Sequence, residues 1–252
     1  MAVPRLSSDR PVHPSVGGKA GPPLHYVTLR EGEEQTDLAT LQVAYDRAGK
    51  ATRVQWQDPQ PRDWDDRGVL WVRTEQNRDH AGRLWGKPKF SLMHAARQRE
   101  TMQELRCSVC VGQPSRTREG YLFLLEPEDS PLEGRLTIQP PLCLPHALYG
   151  IDHCSYLLRT GWKLVRSRVP RLHGVVGGIV TLGPDGSPHL EPAVAGLDGR
   201  DLPIPYTRHK LLPWVVASQL VRRLTHVTPV NLDQELATAR ITHRAPRSPS
   251  SR

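Results

Sequence analysis

Residues 107–110 read Cys-Ser-Val-Cys and residues 143–146 read Cys-Leu-Pro-His, and these two short stretches decide most of what the chain can be. A C-x2-C pair and a C-x2-H pair, thirty-two residues apart, offer the four sulfur and nitrogen ligands that a tetrahedral zinc ion takes. The candidate metal ligands are therefore Cys107, Cys110, Cys143 and His146. With all four positions filled by protein, no coordination site remains for a water, so zinc here is structural rather than catalytic.

Between the pairs, GYLFLL (120–125) and RLTI (135–138) are strand-like and are joined by EPEDSPLEG (126–134), which predicts a hairpin. After them, LPHALYGIDHCSYLLR (144–159) sets Leu144, Ala147, Leu148, Ile151, Cys154 and Leu158 at the spacing of one helix face, with Pro145 tolerated in the first turn. At the start of that helix Cys143 and His146 share one side, and the positive end of the helix dipole favours a thiolate. Knuckle, hairpin and helix follow one another as in a treble-clef zinc finger. On an unbroken helix His153 and Cys154 lie roughly 15 Å or more from Cys143. They are out of reach of its metal unless the helix breaks at Gly150, and read as an exposed polar residue and a small core residue.

Upstream, LQVAY (41–45) and TRVQW (52–56) flank DRAGKA, where Gly49 permits a turn of positive φ, so a β-hairpin is expected. GVLWV (68–72) and GRLWG (82–86) suggest a second. Ser91 is placed to cap a helix through LMHAARQRETMQEL (92–105) that delivers the chain to Cys107. Downstream, GVVGGIVTL (174–182) and the turn PDGS (184–187) predict another hairpin, and PWVVASQLVRRL (213–224) a helix. The expected class is α+β: small antiparallel meanders and hairpins packed with a treble-clef-like zinc finger and a C-terminal helix. The expected divisions are a disordered arm (1–23), an antiparallel β region (24–90), a zinc-binding region (91–172), a hairpin with the C-terminal helix (173–238) and a basic disordered tail (239–252).

The formal charge is +8, and 28 of the 34 cationic residues are arginine, which invites a nucleic-acid partner. The insert 111–142 holds three arginines against five acids, so the positive charge lies in its flanks. Candidate phosphate contacts are Arg97, Arg99, Arg159, Lys163, Arg166, Arg168 and Arg171, with Trp85, Phe90 and Trp162 interspersed as stacking residues or as core anchors. No apolar run is long enough to span a membrane and no secretory segment is recognisable, so a cytoplasmic location is expected. No P-loop, dinucleotide fingerprint, nucleophile elbow or H-E-x-x-H occurs. HNH nucleases also use a treble clef, but residues 111–142 contain neither histidine nor asparagine to supply the base and second metal.

The run His94–Cys110 (HAARQRETMQELRCSVC), followed by GYLFLL, PPLCLPHA and LPWVVASQLV, resembles a set of uncharacterised zinc-binding proteins of high-GC bacteria over roughly residues 85–235. The resemblance implies metal binding at Cys107, Cys110 and Cys143 and brings no activity with it. His146 stands where that pattern has a cysteine, and Cys154 is followed by Ser155 instead of proline. The expected function is a non-enzymatic structural-zinc protein that binds nucleic acid or a nucleic-acid-associated partner through its basic flanks. A protein-interaction scaffold and a divergent HNH-like nuclease are the alternatives.

Overall fold

The computed structural model describes residues 25–128, 130–191 and 202–237. The expected N-terminal arm and basic tail lie outside the described residues. In chain order the elements are β1 (Thr28–Arg30), β2 (Leu41–Tyr45), β3 (Ala51–Trp56), β4 (Leu70–Trp71), β5 (Pro88–Met93), α1 (Ala95–Gln103), β6 (Arg116–Thr117), β7 (Gly120–Leu125), β8 (Leu136–Thr137), α2 (Leu144–His153) and α3 (Ser155–Thr160). Then follow β9 (Lys163–Ser167), β10 (Arg171–Leu182), β11 (Pro188–Glu191), β12 (Ile204–Pro205), β13 (Val215–Arg223), β14 (Val227–Pro229) and a short helix α4 over 232–237. The class is mixed α+β, with several small sheets.

Two hairpins form as their turn residues dictate. β2 pairs β3 with Gly49 at φ 74°, and β10 pairs β11 with Gly186 at φ 80°, a region closed to most L-residues. The β10 glycines serve close approach: a Cβ on Gly177 would stand 2.2 Å from the Val216 carbonyl oxygen, and one on Gly174 2.0 Å from that of Ile204. The β10–β13 register shifts beside both.

Several expected elements differ. PWVVASQLVRRL is strand β13, the centre of a six-stranded sheet, because Val215, Val216, Ala217, Leu220 and Val221 are all buried between the core layers and a one-sided helix would leave part of that set in water. The expected second hairpin is absent: Leu70–Trp71 run parallel to Val216–Ala217 instead. GYLFLL and RLTI do not pair; β7 pairs β6 and β9, while β8 pairs β13. α1 begins at Ala95, capped by His94, since Ser91 belongs to β5.

α1 is seated on β13 by polar side chains. Gln98 accepts from the Leu220 N–H (2.8 Å) and donates to the carbonyls of Leu220 (2.9 Å) and Ile138 (2.7 Å). Arg222 caps the other end of α1, donating to the Met102 (2.8 Å) and Gln103 (3.1 Å) carbonyls and also to Pro170. Burial pushes the Arg222 guanidinium down to about 10.

Candidate metal centre

The knuckle closes on its own backbone: the Cys107 N–H donates to the Gly112 carbonyl (3.0 Å) and the Val111 N–H to the Cys107 carbonyl (2.9 Å), with Val111 at φ 58°. The second pair is brought in by β7. Leu142 donates to the Leu122 carbonyl (2.9 Å), which fixes Cys143 as the N-cap of α2, and the Ala147 N–H donates back to the Cys143 carbonyl (3.0 Å). A third strand of contact was not legible from the spacing. The Tyr26 and Val27 N–H groups donate to the carbonyls of Val109 and Ser108, both at 3.2 Å, so the start of the described chain lies along the knuckle. Leu122, Leu124, Leu142, Ala147, Ile151 and Leu164 pack around the cysteines.

The four expected ligands come together, with one donor atom from each lying within 4.8 Å of all the others. Cys107 Sγ is 3.8 Å from Cys143 Sγ and 3.6 Å from His146 Nδ1. Tetrahedral geometry with Zn–S near 2.3 Å sets sulfurs about 3.8 Å apart. The Cys143 Sγ to His146 Nδ1 distance of 2.9 Å is tighter than such a sphere and lengthens when a cation sits between them. The donor set therefore fits a zinc-sized cation. Among the described residues it is the one such group.

The electrostatics are those of ligands competing for too few protons. Hydrogen bonds from Cys110, then Cys143, hold the Cys107 thiol far below the usual thiol range, while bonding to Cys107 and Cys110 keeps Cys143 protonated. His146 is pushed up to about 9, first by its contact with Cys107. A divalent cation replaces those shared protons, so metal binding releases them.

His153 and Cys154 stand outside the cluster, and α2 runs unbroken from Leu144 to His153 as expected, but the expected core stripe does not continue past it. The helix breaks at Cys154, which ends α2 and begins α3, so Cys154 is a half-buried junction residue and not part of a continuous core stripe. His153 is exposed and stacks on Tyr149 at 4.2 Å.

The expected basic face is corrected in part. Arg97 is fully buried and holds Glu33 with two 2.6 Å bonds, and its Nη2 also donates to the Thr28 carbonyl. Arg166 is buried too, bonding Ser115, the Gly120 carbonyl and Glu235. Neither presents charge to a surface. Arg99 is half-buried with its guanidinium 4.5 Å over the Trp71 ring, and Lys163 donates to the Glu128 carbonyl (2.8 Å). Arg159, Arg168 and Arg171 are exposed. With Arg30, Arg135 and Arg222 also buried, five arginines serve inside the fold.

His94 is a buried helix cap. Burial, then Arg97, lowers its pKa, and the neutral ring lies 3.0 Å from the Glu75 carbonyl through Nε2 while Nδ1 accepts from the Arg97 N–H. No helix among the described residues is long and apolar enough to cross a membrane. Comparison with known proteins returns no match: no protein family, curated protein or solved structure aligns with this chain.

Proposed function

We propose that this is a non-enzymatic structural-zinc protein, treble-clef-like at its centre, that works by binding, with nucleic acid as the partner. The observation that carries the zinc assignment is the convergence of Cys107, Cys110, Cys143 and His146, one donor atom from each within 4.8 Å of the others, inside an apolar shell. The hairpin of the treble clef is then β6–β7, which follows the knuckle directly, rather than GYLFLL with RLTI. Zinc in small finger peptides contributes roughly 10–16 kcal/mol in apparent terms, enough to make folding of this region metal-dependent.

The nucleic-acid reading is supported by exposed cations that form no ion pair among the described residues. Arg171 and Arg223 are register partners across β10 and β13, both exposed, an arrangement that destabilises a sheet unless an anion lies over it. Arg168 is exposed just before β10.

Elemental analysis of the purified protein is expected to give about one zinc per chain, as a single four-ligand site requires. Cys107→Ser and His146→Ala lower it several-fold and Cys154→Ser leaves it unchanged. Equal loss in Cys154→Ser would show a different ligand set. For the partner, Arg171→Gln with Arg223→Gln is expected to weaken binding to duplex and single-stranded DNA at low salt, and a wild-type protein that binds neither removes the nucleic-acid reading.

A further inference from the structure

The stretch from Arg78 to Leu92 carries side chains that nothing in the core requires. Trp85 is 59% exposed, Phe90 67% and Leu92 49%, so the two aromatics are not core anchors. Trp162, by contrast, packs against the zinc-site cluster. Single exposed apolar residues are ordinary, but here three fall within eight residues and are interleaved with Lys87 and Lys89, both exposed. Neither lysine ammonium has a hydrogen-bond or ion-pair partner among the described residues.

The backbone that presents these groups is fixed. Residues 79–83 form a tight turn in which Asp79 accepts from the Ala81 and Arg83 N–H groups and pairs with the Arg83 guanidinium at 2.9 Å, so the acid in the stretch is already neutralised. The Trp85 N–H donates to the Asn77 carbonyl (3.2 Å). Gly86, at φ 102°, lies so close to the chain at Glu31 that a Cβ would meet the Glu31 carbonyl oxygen at 2.9 Å, and its own carbonyl accepts from buried Arg30 (3.2 Å). On β5 the register jumps: Leu29 faces Lys89 and Thr28 faces Met93, so Phe90, Ser91 and Leu92 bulge out of the pairing. His25 meets the Phe90 ring edge-on at 6.3 Å. Glu31 and Glu34 are exposed acids on the adjoining segment, set against Arg78, Lys87 and Lys89.

Two exposed aromatic rings flanking two lysines without an ion-pair partner among the described residues, on a backbone pinned by hydrogen bonds, suit one ligand chemistry best. Unpaired bases stack on the rings while phosphates meet the ammonium groups, and a duplex, whose base faces are covered by their neighbours, cannot use the rings. A bilayer would need a broad apolar face, which three exposed apolar side chains with Lys87, Lys89 and Ser91 among them do not form.

We propose that Trp85, Lys87, Lys89 and Phe90 form a platform for single-stranded nucleic acid. This rests on the nucleic-acid reading above and adds contact residues other than Arg171 and Arg223.

Fluorescence anisotropy with labelled oligothymidylate, an RNA of the same length and a duplex, repeated over a salt series, tests it. The wild-type protein should bind the single strands more tightly than the duplex. Trp85→Ala and Phe90→Ala should each weaken single-strand binding about ten-fold, with duplex binding, thermal unfolding and zinc content unchanged. Lys87→Gln with Lys89→Gln should reduce the salt slope by about 1.4, the value for two phosphate contacts on a single strand. Wild-type binding that is indifferent to both aromatic substitutions overturns the platform and leaves the nucleic-acid reading standing, whereas no binding to any of the three probes removes both. Loss of binding to phosphatidylglycerol vesicles on Trp85→Ala, with oligonucleotide binding intact, overturns the platform in favour of a membrane contact.

Discussion

At the scale of single residues, the most consequential pair is Arg97 and Glu33. Both side chains are fully shielded, and an ion pair of this kind is most costly when only one partner is removed, since the other is left charged and dry. Arg97→Met is therefore expected to lower unfolding free energy by about 3–5 kcal/mol in urea titrations. Burial alone would raise the Glu33 pKa; hydrogen bonds from Arg97 and from the Arg30 N–H overcome it and hold the carboxyl below its ordinary 4.5. A depressed folded-state pKa stabilises above the unfolded value and is lost as pH falls through the folded one. The stability gap between wild type and Glu33→Gln should thus be full at neutral pH and narrow on acidification below about 4.5, measured by denaturant melts across pH. A gap that stays constant down to the acid limit would mean that Glu33 is not the titrating group.

At the scale of elements, what was legible followed from local chemistry. The β2–β3 and β10–β11 hairpins announce themselves through glycines at positive φ, and the four metal ligands through spacing alone. What was not legible required partners distant in sequence. PWVVASQLVRRL has few polar residues with which to mark a solvent face, so its apolar run suits a buried strand as well as a helix, and only its neighbours β10 and β4 decide. Gln98 and Arg97 read as ordinary helix-surface residues until the chain at 220 and 33 is brought against them. At Gly177 an added Cβ would stand against the Val216 carbonyl oxygen, and Gly177→Ala should destabilise by about 1–3 kcal/mol, as overpacking does, with a lowered thermal midpoint as the readout. An unchanged midpoint would show that the two strands can separate at no cost.

At the scale of the whole molecule, the helix that precedes the knuckle is also the helix clasped by β13. Cys107 follows closely on α1, while Gln98 and Arg222 lock α1 to the six-stranded sheet. The candidate metal centre and the large sheet therefore share one element and are not stabilised independently. The β2–β3 hairpin reaches that sheet through a different cluster, in which Val54 and Trp56 pack with Leu70, Val180 and Val216. The Leu220 amide proton is held by a glutamine side chain on that shared helix, which turns it into a remote gauge of the centre. In deuterated buffer, chelating the metal should accelerate exchange at Leu220 well before it does so at Val54, so that one backbone proton in the large sheet reports whether the distant cysteines are occupied.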